Sequence, residues 1–269
     1  MLAMQDVTSN TFLGLQIERN RMEKTMIIHQ EPYIKKVLKD LGIDDCKPVP
    51  TPMIGDPPAY YHGDVNLKFQ KRFQQAIGLL MYPSIKTRPD IAQAVSVLAR
   101  HLHNPSEDLH WPRVQRICRY LQGTMKLGLL FSYPSGTPHL TGYSDSDYAG
   151  DSNQGKSTTG FAFTLCGGLV AWKSQLQRTV TLSSTEAEYA AFVEAVREAL
   201  WIKGLLSELA FEAPSFKTVP MFVDNTAAIT VAKNHHNHKR TRHVNVKNHW
   251  VREQYEQGEI SISFIPTNC

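Results

Sequence analysis

The sequence predicts an α/β protein built in two parts, and three observations support that reading. The 269 residues, 42% hydrophobic and 20% charged, suffice for one or two packed cores and are too apolar for a disordered chain. The first half mixes a hairpin and a short strand with several helical segments. Beyond Pro134-Ser135-Gly136-Thr137-Pro138 the pattern becomes strand, strand, strand, helix, strand, helix, strand, which describes a mixed sheet with flanking helices. The expected division is an α+β region over 1–137 and a mixed-sheet domain over 138–269.

The first elements are a hairpin, Phe12 to Ile17 returning as Met26 to His29, and a helix with Pro32 in its first turn. Ile34, Val37, Leu38 and Leu41 form that helix's apolar stripe, and Gly42 is placed to end it. Residues 44–68 hold five of the 15 prolines, so an extended loop is expected there. Helices are expected over 69–82, 89–103 and 107–121, then a short strand over 127–131. In the second part, strands are expected over 140–145, 159–165 and 169–172, with Gly167-Gly168 turning the hairpin between the last two. A long amphipathic helix over 185–209, a strand over 219–224, a basic His-rich helix and the alternating strand Ile260 to Phe264 complete the pattern.

No apolar run reaches the roughly 18 residues that span a bilayer, and Met1-Leu2-Ala3-Met4-Gln5-Asp6 lacks a signal-peptide profile. An intracellular protein without a membrane partner, cytoplasmic or nuclear, is expected. Cys46, Cys118, Cys166 and Cys269 form no C-x-x-C pair, which suggests reduced structural thiols. The net charge of +4 is modest, but no acid lies between Asp224 and Glu253. That window holds Lys233, Lys239, Arg240, Arg242, Lys247 and Arg252, with five of the 11 histidines. Such a segment suits phosphate contact by Lys239, Arg240, Arg242 and Lys247, or else is a solvated helix face. His235, His236 and His238 have no Cys or acidic residue beside them, which argues against zinc. Trp172, Trp201 and Trp250 read as core residues.

Three acids fall at special points. Asp145 ends the first strand of the second part, Asp224 ends its fourth, and Glu188 lies in the first turn of the long helix. Glu188 shares a face with Phe192, Ala195, Ala199, Ile202, Leu206 and Leu209 at helical spacing, so it lies on the buried stripe. Glu186 sits roughly 160° away and completes a capping box with Ser183. A carboxylate on an apolar stripe must be neutralised, paired or coordinated. Singly, Glu188 could cap with Thr185, and Asp224-Asn225 could be a turn or helix cap. Asp145, Asp147 and Asp151 lack the later ligands of a calcium loop. Together, three acids at neighbouring element ends suit Mg²⁺ or Mn²⁺.

The segments Tyr143 to Asp151, Lys156 to Gly160, Trp172-Lys173-Ser174, Leu182 to Tyr189 and Asp224 to Ile229 resemble the ribonuclease H domain of Ty1/copia-type retrotransposon Pol polyproteins. Phe12-Leu13-Gly14, Asp45 to Met53, Thr87 to Ala92 and Arg119 to Thr124 resemble the same family's reverse-transcriptase region beyond the polymerase palm. The resemblance implies a connection region over 1–137 and a ribonuclease H-like domain over 138–269. It implies that Asp145, Glu188 and Asp224 are catalytic metal ligands of a two-metal site, binding Mg²⁺ or Mn²⁺, that cuts RNA in an RNA/DNA hybrid. It also implies the remainder of the Pol polyprotein as a partner, a virus-like particle as a setting, and no small-molecule cofactor.

Two features depart from the family pattern. The Tyr-x-Asp-Asp turn of the polymerase is missing, and the one Asp-Asp pair, Asp44-Asp45, follows a helix stop, so no polymerase activity is expected. The family continues past Ile265-Pro266-Thr267 into a helix with a fourth metal-binding Asp, whereas the sequence given ends at Asn268-Cys269. Impaired cleavage is therefore expected. The alternatives are a catalytically dead nucleic-acid-binding or scaffold remnant, and a translated fragment without selected function.

Overall fold

The computed structural model describes residues 10–133, 138–151, 153–209, 216–233 and 242–266, without the side chains of 242–248. The chain divides into two compact units, Met1–Pro134 and Ser135–Cys269.

The first unit begins with β1 (Thr11–Phe12), β2 (Leu15–Asn20) and β3 (Thr25–His29). Leu13 and Gly14 have φ of 49° and 77°, so a two-residue turn with both residues left-handed breaks the strand expected over Phe12 to Ile17. Next come α1 (Glu31–Asp40), α2 (Leu67–Lys86), a 3₁₀ turn (Pro89–Ile91), α3 (Ala92–Ala99), α4 (Glu107–Gly123) and β4 (Gly128–Ser132). The antiparallel sheet has the order β1-β2-β3-β4. α2 continues through Pro83, beyond the end expected at Tyr82. Proline lacks the N–H that would bond the carbonyl four residues earlier, and the Tyr33 hydroxyl donates to that carbonyl, on Leu79, at 3.1 Å. Ile34, Val37 and Leu38 pack with Phe73, Ile77, Leu80, Ile117 and Leu121 in a fully buried core. Each such side chain contributes about 1.5–3 kcal/mol on burial.

The second unit contains β5 (Leu140–Asp151), β6 (Lys156–Leu165), β7 (Gly168–Leu176), α5 (Ser184–Glu208), β8 (Val219–Val223), α6 (Thr226–Lys233), α7 (Arg242–Glu256) and β9 (Ile260–Phe264). Its sheet has the order β7-β6-β5-β8-β9. β5 is antiparallel to β6 and parallel to β8, and β8 is parallel to β9. Cys166 and Gly167, with φ of 52° and 75°, make the β6–β7 turn in place of Gly167-Gly168, because this tight turn needs two left-handed residues and Gly168 already pairs with Leu165.

α5 packs Phe192, Ala195, Val196, Ala199 and Ile202 against Phe163, Val219, Met221 and Ile262 of the sheet. The expected stripe holds from Glu188 to Leu206, while Leu209 is the exposed C-cap. Trp201 is 61% exposed, so it is not a core residue; Ile202 and Ala199 occupy the sheet-facing side of that turn. Trp250 packs against the core. The basic segment contains two helices, α6 and α7, where one was expected. Among the described residues, no helix is long and apolar enough to cross a membrane.

Candidate active site

Strand register brings the two aspartates together. Ser144 on β5 pairs with Val223 on parallel β8, so the next residues, Asp145 and Asp224, stand side by side at the carboxyl end of β8. Asn225 caps α6, its Oδ1 accepting from the Ala228 N–H at 2.9 Å, so the capping role falls to Asn225 and not to Asp224.

Glu188 arrives from α5. Ser183 Oγ accepts from the Glu186 N–H at 3.1 Å, and Glu186 Oε2 accepts from the Leu182 N–H at 2.8 Å, which fixes the helix start. Glu188, 7% exposed, turns instead to the sheet, where its Oε1 accepts from the Ser146 hydroxyl at 2.9 Å. The Thr185 capping alternative therefore falls away. The Gln177 side chain donates to Thr159 Oγ1 at 3.2 Å and to the Ala187 carbonyl at 3.0 Å, tying the strands to α5 one residue before Glu188.

One carboxylate oxygen from each of Asp145, Glu188 and Asp224 lies within 4.8 Å of the others. Asp145 is exposed and Asp224 half-buried. Burial pushes the Glu188 carboxyl up to about 7, with Asp145 and Asp224 adding to the rise and the Ser146 hydrogen bond opposing it. Although Asp145 as a residue is exposed, its carboxyl faces the cluster and loses part of its water there, so desolvation and then Asp224 raise it, against the Ser146 N–H that donates to its Oδ1 at 2.8 Å. Glu188 Oε2 is buried without a hydrogen-bond partner among the described residues. Clustered oxygen donors, one of them orphaned, fit a divalent cation such as Mg²⁺ or Mn²⁺, whose charge would offset both burial and mutual repulsion. An open groove of about 400 Å³ beside the cluster is lined by Tyr143, Asp145, Gly160, Phe222, Asp224 and Pro266.

The basic residues divide differently. Arg242 and Lys247 belong to α7, while Lys239, Arg240 and the histidines His235, His236 and His238 lie outside the described residues. Lys233 donates to the Ile262 carbonyl at 2.9 Å, and Arg252, 8% exposed, donates to the Val231 carbonyl at 3.4 Å. These two cations hold α6 and α7 in place. The sequence reading missed the contributions of Ser146 and Gln177. Ser146 stood inside the Asp145 motif as a signal, whereas nothing local marks Gln177.

No protein-family model matches the chain. It is 38% identical over 272 residues to the retrovirus-related Pol polyprotein from transposon TNT 1-94 of Nicotiana tabacum, covering 95% of this chain and 19% of that protein. It is 33% identical over 257 residues to the corresponding polyprotein of transposon RE2 of Arabidopsis thaliana, covering 96% and 17%. The chain belongs to the Pol polyproteins of Ty1/copia-type retrotransposons. It spans less than a fifth of the length of these Pol relatives. Among solved structures, the foamy viral protease-reverse transcriptase dRH in complex with ds DNA aligns with 96% of this chain and 38% of its own length, at 13% identity and a TM-score of 0.54. That likeness concerns the fold, and the α/β class with a mixed sheet and flanking helices is the fold of this Pol segment.

Proposed function

We propose that this Pol segment carries a ribonuclease H-type site that hydrolyses the RNA strand of RNA/DNA hybrids with Mg²⁺ or Mn²⁺. The observation that carries the reading is the convergence of Asp145, Glu188 and Asp224 within 4.8 Å, with Glu188 Oε2 buried and without a hydrogen-bond partner among the described residues. These three carboxylates would be the metal ligands. When bound, such ions activate a water and stabilise the leaving oxygen of a phosphodiester. Asp145, at the open edge, faces the substrate side, and Glu188 anchors the cluster to α5. These carboxylates supply hard oxygen ligands that suit either ion, and Mn²⁺, which oxygen ligands bind more tightly, supports cleavage at lower concentration than Mg²⁺.

Lys239, Arg240, Arg242 and Lys247 grip the phosphates of the hybrid, supplying affinity without reading sequence.

The test is cleavage of a labelled hybrid by the purified chain beside Asp145→Asn, at matched Mg²⁺ and Mn²⁺. Metal-dependent cleavage by the parent chain and none by Asp145→Asn is the expected result. Equal cleavage by both proteins overturns the site assignment. Hybrid binding without cleavage in either metal would instead assign the chain to the nucleic-acid-binding remnants.

A further inference from the structure

We infer that Ser146 is a positioning residue for the carboxylate cluster, orienting Asp145 and Glu188 at once so that Glu188 Oε2 is presented to a divalent cation. This rests on the metal-site reading above. The main chain and the side chain of Ser146 both serve the cluster: its N–H donates to Asp145 Oδ1 at 2.8 Å and its hydroxyl to Glu188 Oε1 at 2.9 Å. The first bond stays within β5, and the second crosses to α5, joining residues 42 apart in sequence.

Strand alternation explains why this position can do so. Asp145 and Ser146 point to opposite faces of β5, Asp145 toward the open groove and Ser146 toward α5, where Glu188 enters. A hydroxyl here occupies one lone-pair direction of Oε1 and fixes the carboxylate plane. Oε2, in the same carboxylate, is then the oxygen left without a protein donor among the described residues. Without the hydroxyl, Oε1 loses the 2.9 Å bond that sets the carboxylate plane, and more of the side chain's ordering falls to the moment the cation binds. Groups that hold a metal ligand by its second atom typically affect metal affinity by about 10–100-fold. A Gln177 link from Thr159, the residue paired with Ser146 across β5 and β6, to the Ala187 carbonyl steadies the helix independently of this hydroxyl.

The experiment measures Mn²⁺ affinity of the full chain by electron paramagnetic resonance titration, without substrate, for the parent, Ser146→Ala, Ser146→Thr and Glu188→Gln. The expected result is about tenfold weaker binding by Ser146→Ala, recovery by Ser146→Thr, which keeps the hydroxyl, and a larger loss by Glu188→Gln. Near-ultraviolet circular dichroism establishes that each variant is folded. If Ser146→Ala binds like the parent while Glu188→Gln is impaired, the inference about Ser146 is overturned and the metal-site reading survives. If Ser146→Thr is as weak as Ser146→Ala, the residue acts by its shape and not by its hydroxyl, which also overturns it. Parent-like binding by Glu188→Gln overturns the metal-site reading and this inference with it.

Discussion

Replacing Glu188 by Gln should make the metal-free protein more stable at alkaline pH, although it removes a residue central to the proposed site. The fold raises this carboxyl from the ordinary 4.5 to about 7. The folded state therefore holds its proton more tightly than the unfolded chain does, and stability is lost as pH rises from about 4.5 through about 7. The full difference corresponds to about 3 kcal/mol at pH 8, which water in the open mouth of the site reduces to ~2 kcal/mol. Gln mimics the protonated acid, still accepts from the Ser146 hydroxyl, and can donate its amide to a neighbouring aspartate. The assay is native-state hydrogen exchange of core α5 amides such as Phe192 and Ala195, in EDTA at pH 8 and pH 5, which reports on this unit within the full chain. Glu188→Gln should gain ~2 kcal/mol at pH 8 and less than about 1 kcal/mol at pH 5. Mn²⁺ at a hundred times its Kd should stabilise the parent by about 2.7 kcal/mol and the variant by far less. A variant less stable than the parent at pH 8, or equally shifted at both pH values, would refute the reasoning.

Three further outcomes are expected. Neutralising Lys239, Arg240, Arg242 and Lys247 together should weaken hybrid binding for every sequence alike and flatten the salt dependence by about 0.9 per lost phosphate contact, read from filter binding between 50 and 200 mM salt; an unchanged slope would mark a solvated face. In the first unit, burial lowers His101 to about 4, with the adjacent His110 ring at 4.2 Å also lowered. The folded state binds fewer protons there than the unfolded chain, so stability present above pH 6.5 falls as pH drops toward 4; native-state hydrogen exchange of first-unit core amides such as Ile77 and Ile117 should report about 2 kcal/mol less stability at pH 5 than at pH 7 through His101, and a flat response of those amides would contradict it. Tyr33→Phe should cost about 1 kcal/mol in urea unfolding, because the Leu79 carbonyl beside Pro83 loses its donor; no change would mean that water replaces the hydroxyl at no cost.

How far the sequence alone reached follows the range of the physics involved. Helical spacing is local, so the stripe from Glu188 to Leu206 and the Ser183–Glu186 cap were legible without a structure. Alternation and turn chemistry placed the strands, though the turns at Leu13-Gly14 and Cys166-Gly167 escaped because non-glycine residues there adopt left-handed φ. The three carboxylates could be nominated from their positions at element ends. Their meeting, however, depends on the parallel register of β5 with β8, a long-range pairing that no local pattern encodes. Tertiary packing also committed Lys233 and Arg252 of the basic segment to the Ile262 and Val231 carbonyls, which nothing in their local sequence encodes. It likewise made Ser146 the bridge between two acids and left one buried oxygen of Glu188 without a partner among the described residues, because only the assembled sheet and helix fix which atoms exclude water and which donors come within reach.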